Sequence, residues 1–381
     1  MTFFIVMRMK KFFTLFISSS LFFVSFAQVN SGYYRVKNAE TGRYIYVCDN
    51  EGKAELNGAQ VKTDLDAIYL REGLDNAISD PGSIVYVNQK GSDYNFMSQG
   101  TSVYDIIGHY VSLISRSGHY AVGATVHGVA AYLSDAQTNN SKEFGIISTD
   151  SKGKKLWEPI PVSSSSENYF GVSPTISFED KYYSCFYASF GFSPVSTYTK
   201  VYYVSAVKEG GAVLLSEIKD EVPASTPVII ECESAAPSDN KLDIKTVKSS
   251  VSSNKLKGVY FDTDNSRKSY AAKIHINQKE VTDNIRILTV VDGKLVFAKS
   301  TLKTIPANSS YLEVSSRAVD NLEVFFSKAE FEEFVGVDAL DAISADSDAL
   351  EVYDLLGKKV QNTSNLPAGI YIIGGKKTVI R

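Results

Sequence analysis

Two stretches of the chain decide its fold: VYYVSAVKEGGAVLLSEIKDEVPASTPVIIE at residues 201–231 and IRILTVVDGKLVFAKSTLKTIPANSSYLEV at residues 285–314. They align almost from end to end, with one residue of difference in the first turn. In each copy an apolar strand enters a turn that contains glycine, and a second apolar strand leaves it. We therefore predict an internally duplicated β domain over residues 163–330, with a sandwich-like architecture.

The segment after each hairpin also repeats. VPAS at residues 222–225 corresponds to IPAN at residues 305–308. Proline fixes φ and has no N–H to donate to a sheet, so we expect this element at a strand start or a sheet edge. The repeated unit resembles modules of large secreted and surface proteins of gut and oral anaerobic bacteria.

The rest of the chain carries the same kind of signal. Short alternating runs of Tyr, Val, Ile and Phe are separated by Gly, Asn, Asp and Ser, and the 381 residues include 23 tyrosines and 21 phenylalanines. This pattern is typical of antiparallel β structure, so we predict an all-β protein. Helical periodicity occurs at residues 63–78, where Thr63 is a candidate N-cap, and at residues 328–335.

A first domain is predicted over residues 28–162. Hairpin-like stretches recur at residues 33–48, 83–99 and 110–135, each with a turn that contains glycine. The opening GYYRVKNAETGRYIYV at residues 32–47 resembles the first hairpin of ricin-type β-trefoil domains, and KKLWEPIPV at its end is similar to their last strand. The resemblance implies a trefoil-like fold and binding of sugars.

Trp157 is the single tryptophan of the chain and has two interpretations. As a platform on which a sugar stacks, it is a candidate glycan contact. As the core residue of the last strand of the first domain, it fits the apolar neighbours Leu156, Ile160 and Val162. The second interpretation is favoured.

Residues 1–27 have the composition of a secretory signal peptide. Basic residues precede an apolar run at residues 12–26, and the small residues Ser25 and Ala27 have the spacing that signal peptidase recognises. We predict cleavage between Ala27 and Gln28. A membrane anchor is the competing interpretation, but the run is shorter than the roughly 20 residues that span a bilayer. No later apolar run is long enough, so we expect no transmembrane segment after cleavage.

Residues 331–349 are acidic and rich in small residues, which is typical of a linker. The tail that follows, residues 350–381, resembles the C-terminal sorting domain of type IX secretion. The resemblance rests on a set of residues in characteristic order: Tyr353, Asp354, Gly357, Leu366, Gly369, Ile370, Tyr371, Lys376 and Lys377. It implies that an outer-membrane translocon reads the tail. The alternative is a closing hairpin kept for stability.

The sequence contains no recognised catalytic motif, and we predict no enzymatic activity, no cofactor and no metal site. His109, His119 and His127 fall close together, with Asp105 as the nearest carboxylate, but their spacing matches no ligand motif. Asp262 opens DTDN, which lacks the glycine and glutamate of a calcium loop and predicts a polar turn.

Three cysteines, Cys48, Cys185 and Cys232, lie in apolar strand-like runs. Small buried hydrophobic residues are the favoured interpretation, and one disulfide between two of them is the alternative. A formal charge of −4 and a pI near 5.7 give no basic excess, which argues against nucleic acid as a partner.

We therefore expect a non-catalytic protein that is secreted or attached to the outer surface of a gram-negative bacterium. Its expected role is adhesion or glycan binding, with a glycan or host-matrix ligand and with the secretion machinery as partners. The alternatives are a structural component of the cell surface, or an accessory to a secreted glycoside hydrolase or peptidase.

Overall fold

The computed structural model describes sixteen segments of the chain: residues 29–47, 55–56, 59–60, 68–71, 73–91, 93–99, 112–116, 118–126, 129–135, 146–148, 154–260, 282–334, 352–354, 358–360, 366–373 and 376–380. The predicted signal peptide and its cleavage site at Ala27 and Gln28 lie outside these segments. The described chain is almost entirely β structure, so the predicted fold class is confirmed.

The strands before residue 162 form one large sheet and a short ribbon. They are β1 (Gly32–Asn38), β2 (Tyr44–Val47), β3 (Glu55–Leu56), β4 (Ala59–Gln60), β5 (Ile68–Arg71), β6 (Val85–Lys90), β7 (Asp93–Met97), β8 (Ser112–Arg116), β9 (His119–Val126), β10 (Val129–Ser134), β11 (Ile146–Ser148) and β12 (Trp157–Pro161). A short helix, α1 (Gly73–Ala77), and a 3₁₀ turn (Pro81–Ser83) connect β5 to β6.

Six of these strands close into a ring. β1 pairs with β6, and the pairing continues through β7, β8, β9 and β12 back to β1. The ribbons β2–β5 and β10–β11 extend from the ring. Alternation along the strands places apolar side chains inside, where Val36, Val87, Val122 and Trp157 form a buried core.

The first hairpin is shaped by its own polar residues. Asn38 Oδ1 accepts hydrogen bonds from the backbone N–H groups of Glu40 and Thr41, both at 3.0 Å, and Gly42 adopts φ +74°. Arg43 then forms a buried ion pair with Asp135, which follows β10. The conformation of the hairpin is therefore tied to the packing of the sheet.

The predicted helix at residues 63–78 is wrong over part of its length. Residues 68–71 form β5 and pair with β2, and the helix is restricted to α1. Leu70 faces Ile45 in this pairing and both are buried, so tertiary pairing overrides the local helical pattern. Thr63 lies outside the described residues.

The described strands between residues 163 and 330 form a three-stranded sheet and a ten-stranded sheet. They are β13 (Phe170–Gly171), β14 (Ile176–Phe178), β15 (Lys181–Phe186), β16 (Gly191–Pro194), β17 (Lys200–Lys208), β18 (Ala212–Glu217), β19 (Val228–Cys232), β20 (Lys241–Lys245), β21 (Leu256–Val259), β22 (Ile285–Val291), β23 (Lys294–Lys299), β24 (Ser309–Glu313) and β25 (Asn321–Phe325). The predicted helix near residue 330 is observed as α2, residues 328–334.

The two sequence copies have the same pairing. In the first copy β17 lies between β19 and β18, and in the second β22 lies between β24 and β23. β25 joins the copies, parallel to β18 and antiparallel to β23. The ten strands follow the order β14-β15-β19-β17-β18-β25-β23-β22-β24-β21.

This sheet curls so that its two ends approach each other. β15 contacts β24 and β14 contacts β22. Buried residues of both copies, including Val204, Leu215, Phe297 and Leu312, share one core. Where a sandwich-like architecture was expected, the described residues form one curled sheet with a small sheet, β13-β20-β16, beside it.

The repeated proline segments have the same position in both copies. They lie in the turns that lead into β19 and β24, and they place Ser225 at φ 58° and Asn308 at φ 53°. The Ser225 N–H donates to the Ala188 carbonyl at 2.8 Å, and the Tyr187 N–H donates to the Asn308 carbonyl at 2.8 Å. The two equivalent turns therefore both form backbone hydrogen bonds with residues 187–188.

Arg35 joins the first sheet to the chain that follows it. Its fully buried guanidinium donates to Ser83 Oγ at 3.0 Å, Asn168 Oδ1 at 2.8 Å, and the carbonyls of Tyr169 at 2.8 Å and Ile78 at 3.0 Å. Burial lowers the pKa of Arg35 to about 10. Several oxygen acceptors thus compensate one buried positive charge.

The described tail residues form a separate small sheet of β26 (Val352–Asp354), β27 (Gly369–Ile373) and β28 (Lys376–Ile380). All five residues of β28 pair with β27. Val352 and Ile380 are the buried residues around which this sheet packs. Among the described residues, no helix combines the length and hydrophobicity that crossing a membrane requires.

Candidate ligand-binding cleft

A cleft of about 730 Å³ opens between the small sheet and the ten-stranded sheet. It is lined by residues 193–197, 199–201 and 217–221 and by Ser249, and we call it the hydroxyl cleft. β16, the start of β17 and the end of β18 contribute lining residues. The Ile218 N–H donates to the Val201 carbonyl at 2.7 Å, which joins two of these lining segments.

Thr199 is the most informative residue of the hydroxyl cleft. Its side chain is 4% exposed, and its Oγ1 atom has no hydrogen-bond partner among the described residues. A buried hydroxyl without a partner costs about 1–3 kcal/mol, so such atoms are rare in folded proteins. Thr199 is therefore a lining residue whose buried hydroxyl has no partner in the described part of the chain.

The wall of the hydroxyl cleft mixes donors and acceptors. Hydroxyl groups come from Ser193, Ser196, Thr197, Thr199 and Ser249, carboxylates from Glu217, Asp220 and Glu221, and ammonium groups from Lys200 and Lys219. Lys245 lies 3.4 Å from Glu221 and 3.0 Å from Asp243. Its hydrogen bond to Asp243 is the main reason that the pKa of Lys245 is raised.

An exposed aromatic residue belongs to the loop that lines the cleft. Tyr198 lies between two lining residues in the chain and is 63% exposed. Ser196 shapes this loop, because its Oγ accepts from the Tyr198 N–H at 3.2 Å and its carbonyl accepts from the Thr199 N–H at 3.3 Å. The loop therefore presents Tyr198 to solvent and buries Thr199.

Trp157, the candidate glycan contact of the first domain, is fully buried. Its indole N–H donates to the Leu133 carbonyl at 3.2 Å inside the ring of six strands. A buried indole has no face on which a sugar could stack, so the glycan-contact hypothesis for Trp157 is contradicted. Its role is that of a core residue.

The residues of the predicted sorting motif have structural roles in the tail sheet. The Asp354 N–H donates to the Lys358 carbonyl, and the Lys358 N–H donates to Asp354 Oδ1, both at 2.9 Å. The Tyr371 hydroxyl donates to the Pro367 carbonyl at 3.0 Å, and its ring lies over Gly369, where a Cβ atom would be crowded.

The other motif residues belong to the same sheet. Ile370 pairs with Val379, and Lys376 and Lys377 are in the last strand. Tyr353 is in β26, and Leu366 packs against the buried pair Val352 and Ile380. Gly357 lies outside the described residues.

Two of the three cysteines can be placed. Cys185 and Cys232 are both free, and burial raises their pKa values to about 11 and about 12. They occupy neighbouring strands, β15 and β19, without forming the disulfide that the sequence left open. Cys48 lies outside the described residues.

His119 is the only histidine among the described residues. Its Nε2 atom lies 3.4 Å from Glu158 Oε1. His109, His127, Asp105 and the turn at Asp262 lie outside the described residues. Within the described part of the chain, no group of three His, Cys, Asp or Glu side chains could hold a metal ion.

Comparison with known proteins yields no match to a family model, to a curated protein or to a solved structure. The hydroxyl cleft therefore has to be interpreted from its own chemistry. Sequence reasoning associated sugar binding with residues 28–162 and missed this cleft. Serine and threonine are common in turns, so residues 193–199 carry no signal that separates a cleft from an ordinary loop.

Proposed function

We propose that the chain is a non-catalytic interaction protein of the cell exterior that binds glycans in the hydroxyl cleft. The observation that carries this proposal is the buried, unpartnered hydroxyl of Thr199 in a wall that mixes donors with acceptors. A sugar hydroxyl donates and accepts at once, so one ring can satisfy Thr199 and a neighbouring carboxylate together.

Tyr198 supports the same ligand class. The polarised C–H faces of a sugar pack on an aromatic ring, and a tyrosine at the rim adds a polar hydroxyl at its edge. Thr199 and Tyr198 are consecutive, so the hydrogen-bonding group and the ring are held by one short loop. A ligand that spans both would cover the opening of the cleft.

The proposal includes the cellular location of the protein. The signal-peptide composition of residues 1–27 supports export, and the resemblance of residues 350–381 to a sorting domain supports type IX secretion by a gram-negative bacterium. The ring of six strands with ribbons outside it is the connectivity expected of a β-trefoil and supports that resemblance for residues 28–162.

A glycan and host-matrix array tests the binding role. Wild-type protein is expected to bind saturably, and both Thr199→Val and Tyr198→Ala to bind at least about tenfold more weakly. Phe326→Ala is the matched control, because this aromatic ring is 42% exposed and, unlike Tyr198, has no chain neighbour that lines the cleft. Circular dichroism checks that each variant is folded.

Two results would contradict the proposal. Failure of the wild-type protein to bind any array member would leave a structural surface component as the better hypothesis. Undiminished binding by both cleft variants would place the site elsewhere. Deletion of residues 338–381 tests sorting separately: surface display is expected to be lost, and unchanged display would refute the role of the tail.

A further inference from the structure

A second cavity, of about 290 Å³, lies at the seam where the two ends of the curled sheet approach each other. It is lined by residues 184–186 of β15, by residues 287–288 of β22 and by the turn into β24 at residues 306–309. Ser79 and Pro81, from the connection between β5 and β6, and residues between 172 and 176 complete it. We call it the seam cavity.

The lining of the seam cavity differs from that of the hydroxyl cleft. None of its described lining residues carries a charged side chain. Phe186, Ile287 and Leu288 provide apolar surface, whereas several serine hydroxyls provide a small number of polar groups. Apolar walls with a few polar groups are the usual composition of a small-molecule site.

One polar atom of this lining is unsatisfied. The Oγ atom of Ser79 is buried and has no hydrogen-bond partner among the described residues. The neighbouring Ser83 contrasts with it, because its Oγ donates to the carbonyls of Ala77 and Asp80 at 3.0 Å and 2.7 Å. Ser79 is thus a lining residue whose hydroxyl has no partner in the described part of the chain.

The volume of the seam cavity indicates the size of ligand that it can hold. A water molecule takes roughly 30 Å³ in the liquid, so a cavity of 290 Å³ has room for a molecule of about ten non-hydrogen atoms. Cys185 does not add a charge, because burial raises the pKa of its thiol to about 11. A charged ligand would lose its hydration without gaining an ionic partner.

We propose that the seam cavity binds a small neutral molecule with an apolar body and one hydroxyl or carbonyl group that pairs with Ser79. This site is independent of glycan binding, because none of its lining residues is shared with the hydroxyl cleft. The cavity is lined by the second copy, by residues 172–186 and by the connection between β5 and β6, so an occupant contacts three parts of the fold.

Alkylation of Cys185 provides the readout, because this thiol lines the cavity. The full chain is treated with N-ethylmaleimide at pH 8.5 with increasing 2-phenylethanol, and modification of each cysteine is followed by peptide mass spectrometry. Saturable protection of Cys185 of at least about fivefold is expected. Phenylacetate, which has the same ring and a negative charge, is expected to protect at least about tenfold less well.

Two variants separate binding from incidental shielding. Ala307→Leu fills part of the cavity and is expected to abolish protection. Ser79→Ala should weaken the protection of Cys185 by 2-phenylethanol but leave unchanged the protection by ethylbenzene, which has no hydroxyl. This variant removes a hydroxyl without a partner among the described residues, so it is expected to fold. Absence of protection in wild type, equal protection by phenylacetate, or an unchanged 2-phenylethanol response in Ser79→Ala would overturn the proposal.

Discussion

The side-chain amides of Gln99 and Asn308 form a reciprocal hydrogen-bonded pair. Gln99 Nε2 donates to Asn308 Oδ1 and Asn308 Nδ2 donates to Gln99 Oε1, both at 2.9 Å. Asn308 Nδ2 also donates to the Tyr187 carbonyl at 3.0 Å. One asparagine of the second repeat thus connects its own turn to Gln99, just after β7, and to Tyr187, just after β15.

Asn308→Ala should therefore be strongly destabilising. The change leaves the Gln99 amide and the Tyr187 carbonyl without this partner, and it places alanine at φ 53°, which asparagine tolerates better. We expect the free energy of unfolding to fall by about 2–4 kcal/mol. Gln99→Ala loses only the amide pair and should lower the free energy of unfolding by less. Urea denaturation measures both, and a smaller loss for Asn308→Ala than for Gln99→Ala would refute the interpretation.

Arg35→Met is expected to destabilise the contact between the first sheet and residues 168–169. The variant keeps the apolar stem but leaves the acceptors of the guanidinium without their donor, at a cost of roughly 2–4 kcal/mol. Lys37→Met on the same strand is the control, because its ion pair with Glu158 is partly exposed and should contribute less than about 1 kcal/mol. Equal effects of the two changes in urea denaturation would argue against this role.

Thr199→Val is expected to stabilise the free protein. Valine has nearly the same shape and removes the unpartnered hydroxyl, so the free energy of unfolding should rise by about 1 kcal/mol. Ser310→Ala is the opposite case, since Ser310 Oγ donates to the Val228 carbonyl at 2.8 Å and its loss should destabilise by a similar amount. If Thr199→Val proved destabilising, the hydroxyl would have a partner in the free protein.

The alkylation rate of Cys185 should depend steeply on pH. Because burial raises the pKa of its thiol to about 11, the reactive thiolate is scarce at pH 8 and increases about tenfold per pH unit up to about pH 10.5. At pH 8 we expect the rate to be about 100-fold below that of an exposed cysteine. A rate that levels off near pH 9 would show a thiol with an ordinary pKa.

The all-β class and the matching strand order of the two copies could be predicted because both follow from local chemistry. Alternating apolar residues require a strand with one buried face, and glycine or proline at a turn limits where that strand ends. The same reasoning failed at residues 68–71, where Leu70 packs in a sheet opposite Ile45. The local pattern there fits a helix, and only the partner strand decides against it.

By itself, the sequence determined that the chain is all-β, where the duplicated unit begins, and that the tail ends in a hairpin. Tertiary structure alone decided that Trp157 is buried and that Cys185 lines a cavity. It also decided that the hydroxyls of Thr199 and Ser79 have no partner among the residues that the structure describes. Burial and hydrogen bonding depend on residues far apart in the chain, as between Ser79 and Cys185. No local pattern records which distant surfaces will meet.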